Sequence, residues 1–139
     1  MDRLVLESKI ESLRRCVARV AAKCPSTVEN LVADIDAQDV VVLNLSRAVQ
    51  LCVDIAMHRL TDLDVPMPQT MGDAFSALAA AGLIDAPLCQ RMRAAVGFRN
   101  LAVHNYDTIN WAVVHAIATT HLDDFKAFAK SILISTPGA

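Results

Sequence analysis

The apolar positions of this chain recur at helical intervals almost from its first residue. Leu6, Ile10, Leu13, Val17, Val20 and Cys24 alternate by four and three, which predicts one face of an amphipathic helix from Arg3 to about Lys23. Arg3, Glu7, Glu11, Arg14, Arg15 and Arg19 fall elsewhere on its circumference, with Glu11 and Arg15 spaced as an i,i+4 pair. That basic cluster reads as a solvated face rather than a phosphate-binding one. Pro25 ends the helix, and Ser26-Thr27-Val28-Glu29 carries a capping-box pattern for a short turn. Asp36 to Asp39 then caps a long helix from about Ala37 to Leu60, with Val41, Leu45, Ala48, Cys52, Val53, Ala56 and Leu60 as its core stripe. Its second stripe, Asn44, Arg47, Gln50, Asp54 and His58, is polar. Such a stripe is either the wet side of a bundle helix or the lining of a cleft, with Arg47 and Asp54 as the cleft-lining candidates.

Beyond Leu60, Asp62, Asp64, Pro66 and Pro68 mark a linker from Thr61 to Gln69. Thr70 caps a short helix bearing Phe75, Leu78 and Ala79 and closed by Gly82. Asp85-Ala86-Pro87 opens the next, with Leu88, Met92, Ala95, Val96 and Phe98 as its apolar positions. Asp107 or Thr108 caps a final helix from about Ile109 to Leu133, whose buried face is Val114, Ile117, His121, Leu122, Phe125, Phe128 and Ile132. The tail from Ser135 to Ala139 is expected to fray. With no strand signal and no repeat, the chain reads as a single all-α domain over residues 1–139, an up-and-down bundle of about five helices.

Composition adds two points. Hydrophobic residues make up 54% of the chain but aromatics only 4%, so Ala, Leu and Val pack the helices and leave an apolar surplus for a partner surface. No run approaches the length of a bilayer span, and no apolar leader opens the chain, so no membrane partner is expected. Cys16, Cys24, Cys52 and Cys89 form no Cys-x-x-Cys pair and read as reduced thiols of a cytoplasmic protein. A net charge of −2 offers no overall attraction for nucleic acid. His58, His115 and His121 lack metal-ligand spacing, and four glycines make no phosphate-cradling loop, so neither metal nor cofactor is expected. Trp111 reads as core or interface, and Arg91 and Arg93 as either solvated surface or guides for a polyanion.

One stretch departs from ordinary scaffold: Arg99-Asn100-Leu101-Ala102-Val103-His104-Asn105-Tyr106. A fixed cation, an imidazole, an amide and a phenol crowd together there. Arginine pairs two phosphate oxygens and histidine moves protons near neutrality, which together suffice for metal-free RNA cleavage by the ribose 2′-OH. Asn100, at i,i+4 from His104, is placed to orient the imidazole. On an unbroken helix, however, Arg99 and His104 lie roughly 140° apart. Either the helix ends near Val103, or a second copy of the chain completes the site across a two-fold axis. By spacing alone, a capped helix end with an interfacial His and Tyr is the better account of the pattern.

This stretch resembles the Arg-x4-6-His motif of the HEPN superfamily, in the Arg-x4-His-x-Tyr form of HepT-like toxins. Asn44 to Val49 and Cys52 to His58 are similar to that family's second helix. Phe75 to Leu83 and Met92 to Tyr106, with Gly97-Phe98 before Arg99, follow its pattern too. The likeness spans about Leu4 to Ile134. It implies an all-α homodimer whose two motifs form a composite ribonuclease cleft. It also implies a partner, an MNT-type nucleotidyltransferase antitoxin that AMPylates the motif tyrosine. Carried over residue by residue, Arg99 binds phosphate, His104 transfers protons, Asn100 supports them and Tyr106 is modified. Within the same superfamily, a non-catalytic nucleotide-binding or dimerisation partner of a nucleotidyltransferase is the alternative.

Overall fold

In the computed structural model, which describes residues 2–137, every α-helix but the last begins on a capping side chain that the sequence supplies for it or one close by. Helix α1 (Arg3–Lys23) starts on Asp2, whose carboxylate accepts the Leu4 amide at 2.8 Å. The short α2 (Val28–Val32) starts on Thr27. Helix α3 (Ile35–Leu60) starts on Asp34, which accepts the Ala37 amide at 3.0 Å. Asp36, the expected cap, lies instead in the first turn, where its charge complements the helix dipole. Thr70 caps α4 (Met71–Ala80), and Gly82, at φ 77°, takes the left-handed position that closes it. Asp85 caps α5 (Ala86–His104), with Pro87 in its first turn.

The C-terminal region differs from the single helix that periodicity predicts. Residues 106–108 form a 3₁₀ turn, so Asn110, rather than Asp107 or Thr108, caps α6 (Trp111–Thr120). The chain leaves helical geometry at His121 (φ −113°, ψ 10°) and resumes in α7 (Leu122–Ser135). This break exposes His121, which an unbroken helix would have turned inward beside Phe125. The described residues thus hold seven α-helices and no strand: the class is the one expected, and the count rises above five through α2 and this division.

Helix α3 is the centre of the bundle. Thirteen of its residues are buried, including every position of the expected core stripe, so it is covered on more than one side. By length and composition alone it is apolar enough to cross a bilayer, but here α1 runs along it and α4, α5 and α7 cover the rest. Phe75 of α4 meets Phe128 of α7 edge to face, ring centroids 5.5 Å apart, both fully buried. On the first helix, Glu11 pairs with Arg14 at 2.7 Å, one turn in the i,i+3 direction, and not with Arg15.

The end of the chain is tied down rather than frayed as far as it is described. Thr136 is buried, its hydroxyl donating to the Ile132 carbonyl at 2.7 Å. Arg3 Nη1 donates to the carbonyls of Leu133 and Thr136, and Arg59 Nη2 to that of Ser135 at 2.8 Å. Gly138 and Ala139, the last residues of the expected tail, lie outside the described residues. Arg59 is itself buried, close to Asp62 (3.8 Å), with its Nε unpartnered. Its substitution by Ala leaves the Ser135 carbonyl without its cationic donor, so stability should fall by about 1.5–3 kcal/mol in urea unfolding. An unchanged midpoint would show that the C-terminal staple carries no stability.

Candidate functional site

Helix α5 runs unbroken through His104; Asn105 leaves it at φ −152°, ψ 53°, with its amide still bonded to the Leu101 carbonyl at 2.8 Å. The helix therefore does not end early enough to swing His104 back toward Arg99. Both residues nevertheless border one open hollow of about 460 Å³, formed where the first turn of α4 meets the C-terminal half of α5. Thr70, Met71 and Gly72 supply one wall; Arg93, Val96, Gly97, Arg99, Asn100 and His104 supply the other. Arg93, Gly97, Asn100 and His104 follow at spacings of four, three and four, a single row along the helix. Arg99 flanks that row, half-buried, while Asn100 and His104 are exposed.

Asn100 does something other than what its spacing suggested. Its Oδ1 accepts from Arg99 Nη1 at 3.2 Å, so it orients the guanidinium, and the His104 ring makes no hydrogen bond among the described residues. Arg93 Nη1 donates to Asp73 Oδ1 at 3.1 Å and to Ser76 Oγ at 2.8 Å. Arg91 turns away to Asp124, at 2.7 Å.

Tyr106 stands just past the helix, in the 3₁₀ turn, with 41% of its surface exposed. Its ring meets Trp111 edge-on, centroids 6.1 Å apart, and its hydroxyl donates to Asp39 Oδ1 of α3 at 3.5 Å. Burial first, and then the neighbouring Asp39 carboxylate, push the phenol above its ordinary range. Asp39 was invisible to sequence reasoning: it is 67 residues away, and nothing in its surroundings marks it. Trp111 proves to be half-buried packing for this phenol.

Arg47 and Asp54 are not brought to the hollow within one protomer. Arg47 is exposed and acts on the Cys16 thiol of α1, opposing the rise that burial imposes there. Asp54 accepts from Gln50 at 3.0 Å, and Asn44 is buried with its amide on the Val40 carbonyl. The polar stripe of α3 thus points to several places rather than to one cleft. Among the described residues no three His, Cys, Asp or Glu side chains are grouped to hold a metal ion. Behind the motif, an apolar groove of about 410 Å³ runs between α5 and the α6–α7 pair, with Phe98, Leu101, Ile109, Val113 and Ile117 among its walls. The surplus of apolar residues seen in the composition surfaces there.

Residues 8–132 match the model of the family described as "Ribonuclease HepT-like". The chain is 35% identical over 124 residues to an mRNA nuclease HepT of Shewanella oneidensis, covering 89% of this chain and 92% of the relative. It superposes on a tri-AMPylated Shewanella oneidensis HEPN toxin in complex with an MNT antitoxin with a TM-score of 0.88 and 34% identity, over 96% of this chain and 99% of the other. A toxin–antitoxin complex with AMP-PNP gives a TM-score of 0.87 and 33% identity, over 95% and 99% of the two chains.

Because the chain has one tyrosine, its ultraviolet titration reports Tyr106 alone. The midpoint should lie above the ordinary phenol value of about 10. Asp39→Asn should lower it without restoring it fully, since burial is the larger cause. An identical curve for the variant would mean that the Tyr106–Asp39 contact is not formed in solution.

Proposed function

The chain belongs to the HepT-like ribonuclease family, and on that premise we propose that it is the toxin of a HEPN–MNT toxin–antitoxin pair. In this reading it is an endoribonuclease, silenced by a nucleotidyltransferase antitoxin that AMPylates Tyr106. The observation that carries the reading is that Arg99 and His104, five residues apart on one unbroken helix, border the same open hollow.

The chemistry needs no metal. The ribose 2′-OH attacks the adjacent phosphorus as neutral His104 takes its proton. The Arg99 fork, steadied by Asn100, binds the non-bridging oxygens and stabilises the charge that builds on them. The bond to the 5′ oxygen breaks, that oxygen takes a proton from a protonated His104, and a 2′,3′-cyclic phosphate remains. One imidazole cannot be base and acid at once. A homodimer with two motifs facing one cleft supplies both, and it also resolves the divergence of Arg99 and His104 around α5. The apolar groove behind the motif is surface suited to burial in such an assembly.

Tyr106 lies two residues beyond His104 and outside the hollow's walls. An AMP joined to its Oη adds an anionic phosphate and a bulky nucleoside at the mouth of a site that must accept a polyanion. Silencing then works by repulsion and obstruction and requires no change of fold.

In EDTA, the unmodified protein should cut RNA and leave cyclic phosphate ends. His104→Ala and Arg99→Ala, shown to be folded by circular dichroism, should each lower the rate by roughly 10²–10³ or more. Tyr106→Phe should cut at close to the parent rate but escape silencing by the antitoxin with ATP. Full cutting by His104→Ala would remove the assignment. No cutting by a protein whose intact mass shows Tyr106 unmodified would favour a non-catalytic partner of the nucleotidyltransferase.

A further inference from the structure

We propose that the hollow beside Arg99 contains a second phosphate subsite, in which Arg93 binds an RNA phosphate neighbouring the scissile one and the RNA backbone crosses Gly97. The inference rests on the ribonuclease reading above and adds a substrate-binding residue to it.

Arg93 is held in place on the wall of the hollow. Its Nη1 is pinned by Asp73 and Ser76, and its guanidinium lies against Gly72, where an added Cβ would stand 3.3 Å from Nη1. Much of the entropy that a long side chain loses on gripping a ligand has thereby been lost already on folding. Only Nη1 is engaged, so Nε and Nη2 keep their hydrogens for another acceptor. The side chain remains open to solvent. An exposed pair with Asp73 alone would contribute little to stability and would not call for such a seat.

The walls of the hollow carry basic groups, with the Asp73 carboxylate set behind Arg93 at 3.1 Å. The chain carries −2 overall, yet the side chains bordering the hollow include two arginines and a histidine and no carboxylate. Asp73, the anchor of Arg93, is not among those walls. Along α5, Arg93 and Arg99 are about 9 Å apart in axial rise and about 120° apart around the axis, so a strand that meets both must cross the helix obliquely, over Gly97.

Gly97 follows Arg93 in the row, one turn along the helix, with Arg99 flanking it. It has no positive φ to justify a glycine, and a Cβ built there would meet nothing within 4 Å. Neither backbone strain nor close packing inside the protomer explains it, and a helix interior disfavours glycine. An external chain passing close over the helix does explain it. The glycine lowers the floor of the hollow at the point where a sugar-phosphate backbone must cross.

The test has two arms. In the first, binding of a mixed-sequence single-stranded RNA oligonucleotide is followed against salt in the non-cutting His104→Ala protein. Adding Arg93→Ala should weaken binding and flatten the log–log salt slope by about 0.7, one phosphate contact on a single strand, while Arg93→Lys should keep the slope. In the second, Gly97→Ala in the otherwise native protein should melt some 2–6 °C higher, as an exposed helical glycine replaced by alanine does, and yet show a several-fold higher KM for the same RNA. Parallel salt slopes, or a Gly97→Ala protein that gains stability at unchanged KM, would overturn the subsite while leaving the ribonuclease reading intact. If the native protein neither cuts nor binds RNA, that reading falls, and the subsite with it.

Discussion

The constraint on which this molecule depends is the circumference of α3. A helix of 26 residues with thirteen of them buried cannot rest on a single neighbour; it must be enclosed. Enclosure sets the arrangement of the other helices: α1 along one side, α4 and α5 together on another, α7 touching α1, α3 and α5. Placing α4 and α5 side by side on that common support brings the amide end of α4 against the polar row of α5. The hollow with Arg93, Arg99 and His104 is therefore a consequence of how the core is covered. Its walls are helices, so the charged groups are borne on rigid elements rather than on mobile loops.

What could be read from the sequence follows the range of the forces involved. The apolar stripes of α1 and α3 and the caps Thr70 and Asp85 were legible because each is decided within a turn or two of the chain. Where two local solutions compete, the reading slipped. Asp34 won the cap of α3 from Asp36 because its side chain reached the Ala37 amide, and the 3₁₀ turn after α5 moved the cap of α6 to Asn110. Side-chain partners across the fold were not legible at all. Asp39 under Tyr106, and Ser135 under Arg59, depend on how helices far apart in sequence come to lie together. Arg47 and Asp54 share a periodic stripe, but Asp54 is bonded to Gln50 of its own helix while Arg47 lies exposed with its charge acting on Cys16 of α1.

The motif shows the same division. Spacing places Arg99 and His104 on different sides of an unbroken helix, and the helix is unbroken through both. That a single depression borders both is a matter of the neighbouring α4, which no periodicity of α5 reports. Asn100 faced a choice of two partners, at i−1 and i+4, and the guanidinium took it. The residues that meet at the hollow were thus recognisable as a cluster, whereas their mutual orientation was decided by packing.

The 3₁₀ turn that holds Tyr106 has a consequence for the lifetime of the protein. The phenol ring meets a half-buried indole, its hydroxyl reaches a carboxylate of α3, and it stands outside the buried core. Loading that oxygen with a nucleotide would discard one long hydrogen bond and leave α3 and its covering helices as they are. A silenced molecule would be as durable as an active one. Restraint of this kind would leave a reserve of intact molecules rather than a turnover of discarded ones.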